Sequence, residues 1–365
     1  MLAVLLVPLG VLLVLAVALL AISPGRPSPI VDANGRPVAG SIADKVHVTI
    51  NGVEQGMFLR GRDATKPVLL FVHGGAGMPE YFLAHKYAAA RQVLEEHFTV
   101  CWWERRGTGL SYSASLLPQT MTVKQMVSDL LGVTDYLKNR FHQRQIYLMA
   151  HSGGTFFALQ AVARSPQSFS AYIAIAQIAY QLKSENVAYQ NMVKHFQKID
   201  DAVMVRRLEA AAPTMSVPLP PSYMAIRDQA MHRLGVGTTH DMRSVIAEVF
   251  LPSWLCPDYT IMEKLNIWRG KALSDRLLWN KILATDLTTT ITHVAIPVYF
   301  LHGIHDYTVT LPETRAYFEA LEAPVKGFYT FQQSAHSPMF EEPERMGQII
   351  EQDVLAGTTS LADPM

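Results

Sequence analysis

Gln145-Ile-Tyr-Leu-Met149 is followed directly by Ala150-His-Ser-Gly-Gly154 and then by Thr155-Phe-Phe-Ala-Leu-Gln-Ala-Val-Ala163. The first run is apolar and has the length of a buried strand, and the third suits a helix. The stretch therefore predicts a strand, a tight turn that carries Ser152, and a helix. Such a turn needs small residues two positions on either side of the serine, and alanine and glycine stand there. A Ser-Gly-Gly loop without a chemical role is the alternative interpretation of this pentapeptide.

Two later segments place an acid and a histidine after strands of their own. Pro297-Val-Tyr-Phe-Leu-His-Gly303 has the pattern of a buried strand and precedes Asp306, and Val325-Lys-Gly-Phe-Tyr-Thr-Phe331 precedes His336. A serine hydroxyl is a weak nucleophile at neutral pH and needs an adjacent base that a carboxylate orients. In the α/β-hydrolase fold, the acid and then the histidine follow the serine along the chain. This order predicts a triad of Ser152, Asp306 and His336.

A glycine-rich loop after another apolar run completes the pattern. Val68-Leu-Leu-Phe-Val72 leads into His73-Gly-Gly-Ala-Gly77, which matches the loop that supplies one oxyanion-hole N–H in esterases and related hydrolases. We expect the amides of Gly153 and of Gly74 or Gly75 to bind the oxyanion. Apolar strands alternate with helical patterns along the chain, and this alternation predicts a mostly parallel, doubly wound sheet. The sequence thus predicts a serine hydrolase with an α/β-hydrolase fold.

A narrower resemblance rests on two motifs. His73-Gly-Gly-Ala-Gly77 and Trp102-Trp-Glu-Arg-Arg-Gly-Thr-Gly-Leu-Ser111 together resemble the prolyl aminopeptidase (proline iminopeptidase) family, which typically carries His-Gly-Gly-Pro-Gly and Asp-Gln-Arg-Gly-x-Gly-x-Ser. Ala76 stands at the place of the proline, Glu104-Arg105 at that of Asp-Gln, and the serine turn differs from the family's Gly-Gly-Ser-Trp-Gly. The resemblance implies release of an N-terminal residue from a short peptide or related small molecule, without a cofactor.

An aminopeptidase must recognise the free ammonium of its substrate, and the resemblance implies a buried carboxylate in a cap. Glu185 and Glu209 are the candidates for substrate binding, together with Asp228 and Glu248. A carboxylesterase or lipase on the same fold remains an alternative, because an apolar cap would suit acyl-chain substrates. A hydrolase-fold binding protein without catalysis is a third possibility, against which the complete triad argues.

Composition and pattern divide the chain into four parts. We expect a transmembrane segment at 1–22, a Pro- and Gly-rich linker at 23–44, a hydrolase core at 45–180 and 291–357, and a largely helical cap at 181–290. The 365 residues are 49% hydrophobic, with 31 acidic and 31 basic side chains and zero formal charge, so no basic surface for nucleic acid is expected. Two cysteines form no disulfide framework, and no metal or cofactor is predicted. The oligomeric state stays open.

The N-terminal segment from Leu2 to Ile22 contains no charged or strongly polar residue. Twenty-one such residues would rise about 30 Å as a helix, enough to cross a hydrocarbon core. A cleaved signal normally has a basic start and a shorter apolar core, and this segment has neither. We therefore predict a single-pass membrane anchor. Arg26 and Arg36 follow the segment and leave the side of the membrane that holds the catalytic domain uncertain.

Overall fold

One eight-stranded sheet organises the structure, a computed structural model that describes residues 17–364. Its strands are β1 (Ile42–Ile50), β2 (Val53–Gly61), β3 (Val68–Val72), β4 (Thr99–Trp103), β5 (Ile146–His151), β6 (Phe169–Ile175), β7 (Val298–Gly303) and β8 (Lys326–Phe331). Their spatial order is β1-β2-β4-β3-β5-β6-β7-β8. All pairs from β4 onward are parallel, whereas β1–β2 and β2–β4 are antiparallel. The predicted, mostly parallel sheet is confirmed.

The antiparallel edge begins with a two-residue hairpin turn. Asn51 and Gly52 connect β1 to β2 with φ values of 47° and 76°. Two successive positive φ angles match the right-handed twist of the flanking strands, and Asn-Gly is the pair that adopts them at least cost. The turn therefore fixes the register in which Ile50 faces Val53.

Helices cover both faces of the sheet because successive strand residues point to opposite sides. In β3, Leu70 and Val72 belong to one apolar cluster, while Leu69 and Phe71 belong to the other. The helices outside the long connection between β6 and β7 are α1 (Tyr81–Lys86), α2 (Ala88–His97), α3 (Val123–Arg140), α4 (Gly153–Arg164), α12 (Leu311–Ala320), α13 (Pro338–Glu341) and α14 (Pro343–Ile349). Because all five residues of β3 are buried, the sheet forms the centre of the core.

The connection between β6 and β7 consists largely of helices. It contains α5 (Gln181–Lys198), α6 (Ala202–Glu209), α7 (Pro221–Leu234), α8 (Leu251–Leu255), α9 (Ile261–Ser274), α10 (Asn280–Ala284) and α11 (Leu287–Thr290), with π-helical turns at Ile246–Phe250 and Asp275–Trp279. The first three of these helices share an apolar cluster of their own, centred on Met192, Phe196 and Tyr223. The first half of the segment thus has an apolar cluster of its own, whereas Val249 and Ile267, later in the segment, belong to a cluster of the sheet.

The predicted membrane segment falls mainly on residues 1–16, which lie outside the described residues. Residues 17–21 are helical, and β1 begins at Ile42 inside the predicted linker. Within 17–364, no helix combines the length and the apolar character that crossing a membrane requires. The region after the short helix is tied to the rest of the chain, since the Gly25 amide donates to the Pro257 carbonyl at 3.0 Å.

Candidate active site

The turn between β5 and α4 places Ser152 in a strained backbone conformation. Ser152 has φ 51° and ψ −123°, and helix α4 starts at the next residue. A positive φ is costly for a residue with a side chain, and such strain is found at functional turns. The following glycines are required by space: a Cβ on Gly153 would lie 2.2 Å from the Gly75 oxygen, and one on Gly154 2.3 Å from the Val72 oxygen. The turn is therefore packed directly against the glycine-rich loop.

Asp306 and His336 meet below this turn. His336 Nδ1 lies 2.8 Å from Asp306 Oδ2, and the amides of Thr308 and Val309 donate to Asp306 Oδ1 at 2.8 and 3.0 Å. Burial works to raise the pKa of Asp306, but the His336 and His302 rings and these hydrogen bonds hold it below its usual value. An ionised Asp306 accepts a hydrogen bond from the Nδ1–H group of His336, and this leaves Nε2 as the basic nitrogen of that ring.

Glu341 holds the loop that carries His336. Its carboxylate accepts hydrogen bonds from the amides of Ala335, Ser337 and His240 at 3.0, 3.3 and 2.6 Å. Burial raises the pKa of Glu341 to about 7, against the three amide donors, which lower it. The loop position of His336 thus depends on a carboxylate that sequence reasoning did not single out.

Ser152 and His336 line one cavity of about 340 Å³. Within the described chain, the Ser152 hydroxyl and the His336 ring are not hydrogen-bonded, and such contacts often tighten only when substrate binds. The side chains that complete the cavity are largely apolar and include Leu83, Ile178, Met224, Met231, Val249, Trp268 and Trp279. A compound bound in this cavity would therefore have access to both the Ser152 hydroxyl and the His336 ring.

The glycine-rich loop after β3 is oriented by Arg105. The Arg105 Nη2 atom donates to the carbonyl oxygens of Gly74, Gly75 and Ala76 at 3.2, 3.1 and 3.0 Å. These three hydrogen bonds fix the loop on the side where its carbonyl oxygens face the guanidinium. The Gly74 amide is already engaged, because it donates to Glu80 Oε1 at 2.9 Å. The sequence predicts that the amide of Gly74 or of Gly75 binds the oxyanion. Of these two amides, only that of Gly74 donates to Glu80.

Arg105 is itself buried beneath the loop. Its guanidinium lies over the Phe157 ring at 4.7 Å, and burial lowers its pKa to about 9. The neighbouring Glu104 accepts from the Tyr259 hydroxyl and the Leu110 amide, and burial raises its pKa to about 8. Glu104 and Arg105, two of the positions at which the chain departs from the prolyl aminopeptidase pattern, are therefore structural supports of the site.

A buried pair that sequence reasoning missed joins three parts of the site. His151 Nδ1 lies 2.9 Å from Glu80 Oε1, and His151 Nε2 lies 2.8 Å from the His336 carbonyl oxygen. Burial lowers the pKa of His151, but Glu80, the His336 carbonyl and Asp306 raise it above the usual value. Both ring nitrogens face acceptors, which requires an imidazolium. The only sequence signal was the position of His151 beside Ser152.

The four acids suggested for ammonium recognition lie in different environments. Glu185 is fully buried, and both of its oxygens accept from Arg227 at 2.7 Å. Asp228 lines the cavity, but it is mostly exposed and pairs with Arg227 at 2.8 Å. Glu209 is exposed and does not line the cavity, and Glu248 lies 3.7 Å from Lys86. Each buried or cavity-lining member of this set therefore already has a basic partner.

One further cluster has ligand atoms suited to a metal. His85, Cys256 and Asp258 bring such atoms within 4.8 Å of one another, although their spacing in the sequence does not predict it. Arg91 Nη1 lies 3.3 Å from His85 Nδ1, and a guanidinium beside the ring disfavours a cation. Burial raises the pKa of Cys256 to about 12, which keeps the thiol protonated. The cluster fits a buried polar contact better than a metal centre.

Comparison with known proteins assigns the family. The model of the family described as Serine aminopeptidase, S33, matches residues 63–343. The chain belongs to this family. It is 30% identical over 312 residues to the probable aminopeptidase YbaC of Bacillus subtilis (strain 168), across 84% of this chain and 95% of that protein. The chain is thus a hydrolase, and the predicted resemblance to prolyl aminopeptidases is confirmed.

Solved structures share the fold. The proline iminopeptidase of Mycobacterium smegmatis superposes with a TM-score of 0.60 at 14% identity, over 86% of this chain and 100% of that one. A proline iminopeptidase-related protein of Thermus thermophilus gives a TM-score of 0.54 at 18% identity, over 86% and 98%. At these identities the likeness concerns the fold alone, and it confirms the predicted α/β-hydrolase architecture.

Proposed function

We propose that the protein cleaves its substrate through an acyl-enzyme on Ser152, with His336 as the general base and Asp306 as the acid that orients it. One observation carries this proposal: Ser152, on its strained turn, lines the same cavity as His336. The Nδ1 atom of His336 is hydrogen-bonded to the buried Asp306. Nucleophile, base and orienting carboxylate are the three groups that serine hydrolysis needs.

The chemistry follows from this arrangement. His336 Nε2 takes the proton of Ser152 Oγ as the oxygen attacks the carbonyl carbon, and Asp306 stabilises the imidazolium. In this proposal the amides of Gly75 and Gly153 donate to the oxyanion, and loss of one such donor costs about 3–4 kcal/mol of barrier. When the intermediate collapses, the leaving amine or alcohol takes the proton from His336. Water then hydrolyses the acyl-enzyme by the same steps.

The helical segment 181–290 would act as a cap over this chemistry. Its residues Met224, Arg227, Met231, Trp268 and Trp279 line the cavity opposite Ser152. Together with the central position of the sheet, this supports the division into a core at 45–180 and 291–357 and a cap at 181–290. A cap that closes the cavity would exclude water and select substrates by size.

The proposed substrate is a short peptide or aminoacyl amide with a free amino group. The family description and the name of the Bacillus relative support this interpretation. The carboxylates that line the cavity are Glu80, Asp228 and Asp275. Each has a basic partner, in His151, Arg227 and Lys271 respectively, so a substrate ammonium would share a carboxylate with that partner. An ester substrate is the second candidate, because apolar side chains such as Met224, Met231 and Trp268 form a large part of the cavity wall.

Two measurements test the function. A fluorophosphonate probe should label the protein, and Ser152→Ala should abolish both labelling and turnover, whereas persistent labelling would place the nucleophile elsewhere. An aminopeptidase should lose most of its rate when the amine of the substrate is acetylated, because a neutral amide cannot form the ion pair that an ammonium group makes with a carboxylate of the cavity. Equal rates on free and acetylated substrates would favour the esterase.

Membrane anchoring through residues 2–22 is proposed from the sequence pattern. The full-length chain should then fractionate with membranes and resist extraction by carbonate, as a spanning helix does. Finding a mature N-terminus near residue 20 would instead identify a cleaved signal peptide.

A further inference from the structure

An exposed apolar face lies on the helical segment around α8 and the start of α9. Ile246 is 68% exposed, Leu255 61%, Met262 55% and Leu251 46%, and Phe250 lies beside them at 38%. Isolated exposed apolar side chains are ordinary, but these five belong to helical elements that pack against one another, and a contiguous apolar patch is typical of an interaction site. We call Ile246, Phe250, Leu251, Leu255 and Met262 the apolar face.

The N-terminal apolar segment ends close to the apolar face. Lys264 Nζ donates to the Ile22 carbonyl oxygen at 3.2 Å and to the Ser23 hydroxyl at 2.7 Å. The Gly25 amide also donates to the carbonyl of Pro257, in the loop that joins α8 to α9. The end of the segment 2–22 is therefore fixed near Leu255 and Met262, which flank that loop. Val17 and Leu20, in the described part of that segment, are 58% and 64% exposed. Two apolar surfaces therefore meet at one side of the molecule.

The charges around the face suit a lipid surface. Arg269 Nη1 lies 3.6 Å from the sulfur of Met262, and its side chain is exposed. Two acids on these elements are paired: Glu263 with Lys45 at 2.8 Å and Glu248 with Lys86 at 3.7 Å. An apolar patch flanked by an unneutralised arginine matches the boundary between acyl chains and anionic headgroups.

The face also continues into the cavity. Val245 and Val249 line the cavity and belong to the same helical turns as Ile246 and Phe250. The Phe250 ring packs on Trp268 at a centroid distance of 5.1 Å, and Trp268 is part of the cavity wall. An apolar substrate could pass from this surface to the cavity along apolar side chains.

We infer that the apolar face docks on a lipid bilayer and that the cavity opens beside the membrane surface. Its placement rests on the proposed anchor, but its contact with lipid is a separate property of α8 and α9. A bilayer is favoured over a second copy of the chain because the segment long enough to cross a hydrocarbon core ends at this face.

Site-specific fluorescence on the full-length chain tests the inference. Cys101 and Cys256 are both buried, so Leu251→Cys can be labelled selectively with an environment-sensitive dye. Val203→Cys is the matched control, since Val203 is 61% exposed but lies on α6, whose apolar cluster is a different one. Both proteins are incorporated into vesicles of phosphatidylcholine and phosphatidylglycerol that carry a nitroxide quencher in the acyl chains.

The inference predicts several-fold stronger quenching at position 251 than at position 203. A blue-shifted emission at 251 without lipid quenching would mean that protein covers the face, either a second copy or the N-terminal segment, and would overturn the inference. Equal, weak quenching at both positions in vesicle-bound protein would overturn it while leaving the anchor intact. If the chain does not bind vesicles at all, both the anchor and the docking face are wrong.

A kinetic comparison gives an independent readout. The double variant Ile246→Ser/Leu255→Ser should turn over a water-soluble ester or aminoacyl amide at the normal rate, because neither residue lines the cavity. Its rate on a substrate dissolved in the vesicles should fall several-fold. Equal rates for the variant and the native chain on the vesicle substrate would contradict a role of the face in substrate access.

Discussion

Replacing Glu80 by glutamine tests how the three segments of the site are held together. In the native chain, Glu80 accepts from the Gly74 amide and from His151, and His151 donates to the His336 carbonyl, at 2.9, 2.9 and 2.8 Å. Glutamine has the same shape and keeps one acceptor oxygen, but it removes the negative charge that holds the second proton on the imidazole. A neutral His151 has one N–H, so every arrangement of the Glu80→Gln variant loses one of the three hydrogen bonds.

The size of the effect follows from that count. A hydrogen bond to a charged group contributes about 1.5–3 kcal/mol. Its loss corresponds to a factor of roughly 10 to 150 in an equilibrium or rate constant. We expect this loss to be divided between the free energy of unfolding and kcat/KM, because the lost bond fixes either the glycine-rich loop or the His336 loop.

The pH dependence of stability separates the charged bridge from a merely polar one. The pKa of His151 is raised in the folded chain, so its stabilising contribution is complete below the ordinary histidine pKa of about 6.5 and is lost as the pH rises through the raised value. Measured in urea between about pH 6 and 9, the unfolding free energy of the native protein should fall more steeply than that of Glu80→Gln. The decline from Glu104 and Glu341, whose pKa values are also raised, is common to both proteins. The difference in kcat/KM between the two proteins should be largest at the low-pH end. Glu344→Gln, at an exposed position, serves as the control. Indistinguishable unfolding energies and kcat/KM for the native and Glu80→Gln proteins across this range would refute the imidazolium bridge.

Other substitutions probe the remaining parts of the site. Asp306→Asn should lower kcat by about 10³–10⁴-fold with little change in unfolding energy, because the amide favours the wrong histidine tautomer; steady-state kinetics and thermal unfolding measure both, and activity within tenfold of native would assign the acid elsewhere. Gly153→Ala should abolish most of the activity, since its Cβ would lie 2.2 Å from a carbonyl oxygen of the glycine-rich loop, whereas Gly347→Ala, in a helix, should be near normal in the same assay. Arg227→Met should destabilise the chain by about 3–5 kcal/mol by leaving Glu185 buried and unpaired; in urea unfolding, the double variant with Glu185→Met should recover part of that loss, and no recovery would mean that the pair is not the cause.

Patterns along the chain were sufficient for the fold and for the positions of the candidate triad. The apolar runs before Ser152, Asp306 and His336 form β5, β7 and β8. They were predictable because a parallel strand that is buried on both faces is a nearly continuous apolar run in the sequence. Asp306 and His336 then meet because the carboxyl ends of neighbouring parallel strands lie at one edge of the sheet. The boundaries were less certain: β1 begins at Ile42, three residues inside the predicted linker.

The supports of the site could be found only in the tertiary structure. Glu80 and His151 are 71 residues apart, and the Glu185–Arg227 pair spans 42 residues. No local pattern distinguishes a carboxylate that a guanidinium will neutralise from one that stays available, so all four suggested cap acids looked alike in the sequence. Whether a buried charge can remain depends on which partner lies within hydrogen-bond distance, because an isolated charge is too costly to bury. The distance between an acid and its partner is set by the packing of segments that are remote in sequence. Only the tertiary structure therefore shows which acids support the site.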